Sequence, residues 1–235
     1  MTAPVGRYVM VGGQFTSTLN TPMSIQDFVK GDFTAVDYDE DFSVWQLHSP
    51  VVLLHDGEYY TTYYYQTDCQ GTGESPDGWV DGQAEYADVT IKAGQGFWFA
   101  DFNENDGETC TVTFAGQVPQ TGYQIKTSGT GYCMIANPFP VAIPLNSGKI
   151  SWEGIVAIDY DEDFSLWQLT SPVVLTHDGE YYTTYYYQTD CGGTGDSPDG
   201  WVDGQAEYAD VELGVTQGCW FRNPAGNPVT ITFEW

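Results

Sequence analysis

Carboxylate oxygens are the most abundant reactive groups in this 235-residue chain, where 33 Asp and Glu stand against 6 Lys and Arg for a formal charge of −27. The densest run is Asp37-Tyr38-Asp39-Glu40-Asp41, which recurs as Asp159-Tyr160-Asp161-Glu162-Asp163. Alternate residues of a strand share a face, so Asp37, Asp39 and Asp41 are expected to converge, as are Asp159, Asp161 and Asp163. Hard oxygen ligands in that number suit Ca²⁺. The run is not an EF-hand loop, because Phe42 and His48 stand where that loop needs Gly and Glu. A second Ca²⁺ candidate is the loop from Asp101 to Gly107, in which Asp101, Asn103 and Asn105 alternate before the glycine. The competing reading of all these residues is a solvated acidic surface that keeps the protein soluble.

Nucleophiles and proton carriers are few. The histidines are His48, His55 and His177. Thr170 replaces His48 in the second copy of its segment, and His55 and His177 each precede a hairpin turn that they are expected to orient. No Gly-x-Ser-x-Gly, His-Glu-x-x-His or phosphate-loop pattern occurs, so no catalytic residue is assigned and the chain is read as non-enzymatic. Cys133 and Cys219 replace Val9 and Phe97 of the first copy. A change at both positions in one copy suggests that they meet as a disulfide. Cys69 with Cys110 makes a second candidate bridge and leaves Cys191 over; the alternative is five buried or free thiols.

The aromatic residues form the other chemical surface. Tyr59-Tyr60-Thr61-Thr62-Tyr63-Tyr64-Tyr65 puts Tyr59, Tyr63 and Tyr65 on one face of a strand and Tyr60 and Tyr64 on the other. The copy places Tyr181, Tyr185 and Tyr187 in the same way. Either both faces are covered, or one tyrosine ladder is exposed to stack on sugar rings or to meet another subunit. Trp79, Trp98, Trp201 and Trp220 lie among Gly and Val in candidate strands and are read as core.

An internal duplication must position these groups. A shift of 122 residues lays 37–89 on 159–211 with five differences in 53 positions: Val44/Leu166, His48/Thr170, Leu54/Thr176, Gln70/Gly192 and Glu74/Asp196. Weaker matches extend both ways and predict an all-β chain. It comprises two tandem homologous β-sandwich or barrel-like domains of about 110 residues, 1–116 and 130–235, joined by a linker or inter-unit strand over 117–129. Candidate strands in the first copy are 7–11, 33–37, 43–47, 51–55, 59–66, 78–81, 88–92, 96–100 and 110–115, rich in Tyr, Thr, Val, Phe and Trp. Asp56-Gly57 and Asp178-Gly179 are hairpin signals. Ser24 is a candidate cap for a short helix over 24–29. Residues 67–78 read as the long polar loop of the first copy.

The order Gly-Tyr-x-Met-Ile-Ala-Asn-Pro at 131–138, a Tyr/Thr strand, Gly-Trp-Val-Asp, Gly-Gln-Gly-Phe-Trp-Phe at 94–99 and Thr-Val-Thr-Phe-x-Gly-x-Val-Pro at 111–119 resembles the tandem β-repeat proteins exported by some environmental bacteria. The first copy departs from it with Val-Gly-Gly-Gln-Phe at 11–15. The resemblance implies export and β architecture, and no activity.

Six basic residues do not supply the cationic surface that nucleic acid needs, and an anionic membrane repels such a chain. No run of apolar residues is long enough to insert as a membrane helix. No secretory leader pattern opens the chain, yet few Lys, much Thr, Tyr and Gly, and five Cys suit an extracellular or cell-surface location. The expected function is that of an extracellular structural protein assembling with itself into a filament, layer or matrix through β-edges and tyrosine contacts. One expected open edge is the C-terminal run from Val229, since the strand near 123–126 is expected to have no equivalent at either terminus. The alternative is a calcium-dependent module that binds glycans.

Overall fold

The computed structural model describes residues 1–16, 22–38, 42–119, 122–127, 129, 131–160 and 164–234. Its chain is all-β, with 41% strand and 8% helix in antiparallel sheets. The first half carries β1 (Thr2–Pro4), β2 (Val9–Gly12), β3 (Met23–Ser24), β4 (Lys30–Gly31), β5 (Val51–His55), β6 (Tyr60–Gln66), β7 (Gly78–Val80), β8 (Thr90–Ile91), β9 (Gly96–Ala100) and β10 (Thr109–Thr113). The second carries β11 (Tyr123–Lys126), β12 (Tyr132–Ala136), β13 (Ile143–Pro144), β14 (Ile150–Glu153), β15 (Val173–His177), β16 (Tyr182–Gln188), β17 (Gly200–Val202), β18 (Glu212–Leu213), β19 (Gly218–Arg222) and β20 (Thr230–Phe233). Each half builds a five-stranded sheet (β2-β9-β5-β6-β7; β12-β19-β15-β16-β17), a three-stranded sheet (β1-β10-β4; β11-β20-β14) and a two-stranded ribbon (β3-β8; β13-β18).

The two larger sheets of a half face each other as a sandwich. Val11, Val52, Leu54, Phe97, Phe99 and Trp79 from one meet Ala3, Cys110 and Val112 from the other. Alternation in β10 sends Cys110 and Val112 inward and leaves Thr109, Thr111 and Thr113 outside. A fully buried Val or Phe contributes about 1.5–3 kcal/mol, so this layer carries much of the stability. The short helix α1 (Ile25–Phe28) begins where Ser24 accepts the Gln26 N–H at 3.3 Å, as the sequence suggested. It aims the Gln26 amide at the backbone of β7 and Ala87, donating to Trp79 O (2.7 Å) and Ala87 O (3.1 Å) and accepting Trp79 N–H (2.9 Å). Asn146 makes the same three bonds to Trp201 and Ala209 in the second half.

The outer face of each five-stranded sheet carries a helix, α2 (Phe42–His48) in the first half and α3 (Phe164–Thr170) in the second. The sequence pattern predicts a strand over 43–47. That arrangement would put Trp45 and Leu47 on one face. Instead Trp45 is buried over Tyr64, with ring centroids 4.9 Å apart, while Leu47 is 69% exposed. Helical spacing separates the two and leaves Val44 and Leu47, like Leu166 and Leu169, on the solvent side. Residues 33–37 likewise form no strand: Phe33 turns into the core, and only Val36 bridges to Gln66.

The expected open edge is also corrected. β1 is the equivalent of β11, each flanking the last strand of its half: Ala3 pairs with Cys110, and Ile125 with Ile231. β20 is therefore a central strand, held by β11 on one side and β14 on the other. Hydrophobic alternation missed β1 because it is three residues long and ends in Pro4, a residue that sheets accept at an edge.

The halves join along β2/β9 and β12/β19 by reciprocal contacts. Gly12 N–H donates to Thr216 O and Ala136 N–H to Gly94 O, each at 2.8 Å. Val11 bridges Gln217 as Gln95 bridges Ile135. A Cβ on Gly12 would lie 2.4 Å from Ala136 Cβ, so only glycine admits this approach. Met10, Trp98, Met134 and Trp220 form a buried cluster across the seam, with Leu53 and Leu175 beside it.

Candidate functional site

Many of the acids that looked like ligands organise turns. Asp56 Oδ1 accepts the N–H groups of Glu58 and Tyr59 at 2.8 Å, and Asp178 does the same for Glu180 and Tyr181. Asp68, in the left-handed region with φ 47°, gathers its loop by accepting from the N–H groups of Thr72, Gly73 and Ser75 and from the Ser75 hydroxyl. Asp190 repeats this with Thr194, Gly195 and Ser197. These donors stabilise the ionised form. The Tyr59 and Tyr181 N–H groups act most strongly on Asp56 and Asp178, and the Ser75 and Ser197 hydroxyls on Asp68 and Asp190. All four carboxyls are held below the ordinary range. Asp81 and Asp203 clip the next turn, each accepting two backbone N–H groups at 2.8 and 3.0 Å.

The first proposed Ca²⁺ run contributes Asp37 and Asp159, whose carboxylates accept the Thr67 and Thr189 hydroxyls at 2.9 and 3.0 Å. Asp39, Asp41, Asp161 and Asp163 lie outside the described residues. In the second candidate the oxygens turn inward on their own loop. Asp101 Oδ1 accepts Asn103 N–H (3.0 Å), and Asn103 Oδ1 accepts from both nitrogens of Asn105 (3.1 and 3.0 Å). Among the described residues no group of three or more His, Cys, Asp or Glu side chains is placed to hold a metal ion. Asp101 is the exception to the exposed acids. It is fully buried, and its Oδ2 has no hydrogen-bond partner. Burial first, and then the Asp106 charge, raise its pKa to about 6 against the opposing pull of the Asn103 N–H.

Neither expected disulfide is formed; all five cysteines are free thiols. Cys133 pairs across the sheet with Phe221, and Cys219 with Ile135, so the two are diagonal rather than opposite. Diagonal neighbours stand about 7 Å apart, beyond the reach of a disulfide. Cys69 packs with Trp45 and Val80 on the outer face, whereas Cys110 lies in the inner core, so the sheet divides them. Burial pushes the Cys110 and Cys133 thiols up to about 12, which makes them unreactive packing groups.

The tyrosine ladder is divided by the sandwich. Tyr59 and Tyr181, at the hairpin tips, are 66% exposed. Tyr65 packs on Phe33 and Trp79 at centroid distances of 4.9 and 5.2 Å, and Tyr187 on Trp201 at 5.2 Å. Tyr63 and Tyr185 border the same inner cores. Of the two alternatives for this face, covered or exposed, Tyr63 and Tyr65 with Tyr185 and Tyr187 take the covered one as core rim, and Tyr59 and Tyr181 stay exposed. All four tryptophans read as core are buried. His55 and His177 do orient their hairpins, each accepting a turn N–H at Nδ1 (Gly57, 3.2 Å; Gly179, 3.1 Å).

The sequence did not reveal that β6 outruns its partner. β7 pairs only with Tyr64–Gln66, whereas β6 begins at Tyr60. Tyr65 N–H donates to Pro50 O and Asp56 N–H to Tyr59 O, so the odd-numbered residues bond towards β5. By alternation, Thr62 points its N–H and C=O away from β5, past the end of β7. A groove of about 470 Å³ lies there, between Tyr60–Tyr64 and the loop bearing Asp81, Gln83, Tyr86 and Asp88. The second half repeats it at about 460 Å³ beside Tyr182–Tyr186, Asp203, Gln205, Tyr208 and Asp210. Comparison with protein-family models, curated proteins and solved structures finds no match to this chain. Identity of all the groove positions in the two copies was visible in the sequence, but so was identity of most of the surrounding block, which hid the signal.

Proposed function

We propose that this is an exported, non-catalytic structural protein of two tandem domains, 1–116 and 130–235, that assembles with copies of itself at the cell surface or in an extracellular matrix. The observation that carries the reading is the edge of β6 beside its groove, which no strand among the described residues covers beyond β7, repeated at β16. An extended segment from another molecule can add there as a further strand, with main-chain bonds at Thr62 and Thr184 and tyrosines along the walls. Two such edges per chain let each molecule touch two neighbours, which propagates a filament or layer when the contact does not close. The exposed pairs Val44/Leu47 and Leu166/Leu169 add apolar surface to each half. The charge of −27 opposes this contact at low salt, so assembly strengthens as ionic strength or Ca²⁺ rises, with Ca²⁺ acting as a counterion. Light scattering and electron microscopy across salt concentrations test this. The wild type is expected to form large particles, and the Thr62→Pro/Thr184→Pro variant, which removes the outward N–H donors, to stay monomeric with an unchanged circular dichroism spectrum. A wild type that remains monomeric at high concentration and high salt refutes the proposal.

The groove walls favour a second reading, a glycan-binding module, because Tyr86 and Tyr208 stand beside carboxylate and amide groups in both copies. On a glycan array that reading requires binding by the wild type that is lost in Tyr86→Ala/Tyr208→Ala. An array without a hit discards it.

A further inference from the structure

The seam between the halves holds an open aromatic depression of about 350 Å³, a shallow chamber lined by Tyr8, Leu53, Tyr60, Trp98, His177 and Tyr182. The rings meet close to perpendicular: Trp98 lies 6.3 Å from Tyr8 at 79°, 6.5 Å from Tyr182 at 88° and 5.3 Å from His177 at 82°. The indole N–H donates to the Tyr60 hydroxyl at 3.3 Å, which fixes that wall. We infer that this chamber is a binding site for a methylated ammonium cation.

Walls of perpendicular aromatic rings without a carboxylate match a cation whose charge is spread over methyl groups. Such a cation gains from the ring quadrupoles and loses little hydration. A primary ammonium group, which is strongly hydrated, gains less from such walls, because no carboxylate stands among them to replace its water. Burial moves the Tyr8 and Tyr60 pKa values further above neutrality, so neither hydroxyl adds a charge to the walls. The field of a strongly acidic protein draws cations towards it. The chamber is small by the measure of ligand sites, about 300–1,000 Å³, which suits a trimethylammonium head and not a chain of sugars.

The second half supplies an internal comparison. Tyr132, Trp220, His55 and Tyr60 repeat the arrangement, with Trp220 6.1, 5.0 and 6.2 Å from the other three rings. There Arg222 sets its guanidinium carbon 5.6 Å from the Tyr132 centroid, a cation–π contact made by the protein itself. Ala100 occupies the matching place on β9. Tyr132 thus meets a cation supplied by the protein itself, whereas its counterpart Tyr8 has an alanine at that place.

Tryptophan fluorescence titration of the full chain tests the site, with tetramethylammonium, choline, a trimethyl-lysine peptide and 3,3-dimethylbutan-1-ol as probes. Saturable binding of the cations is expected, with the neutral isostere about 10-fold weaker or more. Tyr8→Leu, at an exposed position outside the strands, is expected to weaken cation binding about 10-fold with the urea midpoint close to that of the wild type; Tyr182→Leu serves as the second variant. Tighter binding of choline assigns the site to a free small molecule, and tighter binding of the peptide assigns it to a modified protein. No saturation, equal binding of the neutral isostere, or cation binding untouched by both variants overturns the inference. Tyr86→Ala/Tyr208→Ala, which lie outside this lining, are expected to leave the titration unchanged, so the site is tested apart from the grooves.

Discussion

Asp101→Asn raises stability at pH 7 by about 2–3 kcal/mol, taking about 1.4 kcal/mol for each pKa unit. The buried carboxyl holds its proton to about pH 6 in the folded protein, against 3.8 for an ordinary Asp. A group whose folded pKa is raised binds its proton better when folded. Its contribution is fully present below 3.8 and is lost as pH rises through about 6. At pH 7 the folded state therefore holds a charge whose Oδ2 has no hydrogen-bond partner. The second half shows the remedy: Asn223 fills the equivalent place, fully buried, donating to Asn227 O at 2.9 Å and accepting Ala225 N–H at 3.3 Å. Asp56, Asp68, Asp178 and Asp190 act in the opposite sense. Their depressed folded pKa values give stability above the ordinary carboxylate pKa that is lost as pH falls through the folded values. Wild-type stability thus peaks at mildly acidic pH, and the variant removes only the decline on the neutral side. Urea titrations at pH 7 and 4.5 check this. Equal midpoints at pH 7, or an equal gain at both pH values, would reject the account.

Trp220→Ala is expected to cost about 3–5 kcal/mol, the range for emptying a buried Trp site. Trp220 belongs to the second half, yet its ring packs on His55 and Tyr60 of the first. The loss should therefore reach across the seam. Calorimetry is expected to show the wild type unfolding as one transition and the variant as two, because the cluster of Met10, Trp98, Met134 and Trp220 couples the halves. Combining it with Trp98→Ala should give a sum that departs from additivity by about 0.5–3 kcal/mol. A variant that still melts in one transition, with strictly additive single losses, would mean that the seam does not couple the halves.

The sequence by itself determined the duplication, the all-β class, the hairpins at Asp56-Gly57 and Asp178-Gly179, the cap at Ser24 and the burial of four tryptophans. Each of these depends on local spacing or on composition, which the chain carries residue by residue. The tertiary structure decided which face of a pattern meets something. FSVWQLH at 42–48 has apolar residues compatible with strand or helix, and only the outer face of the sheet, ready to take Trp45 and not Leu47, selects the helix. The same holds for the acids. Asp68 and Asp101 look alike as residue types, yet one collects backbone donors in an exposed loop while the other is enclosed between sheets. It holds also for the tyrosines, which the packing distributes between core rim, groove and seam. Alternation places a side chain on a face; whether that face meets water, the other sheet or the other half depends on contacts between residues far apart in the chain, which no local pattern encodes.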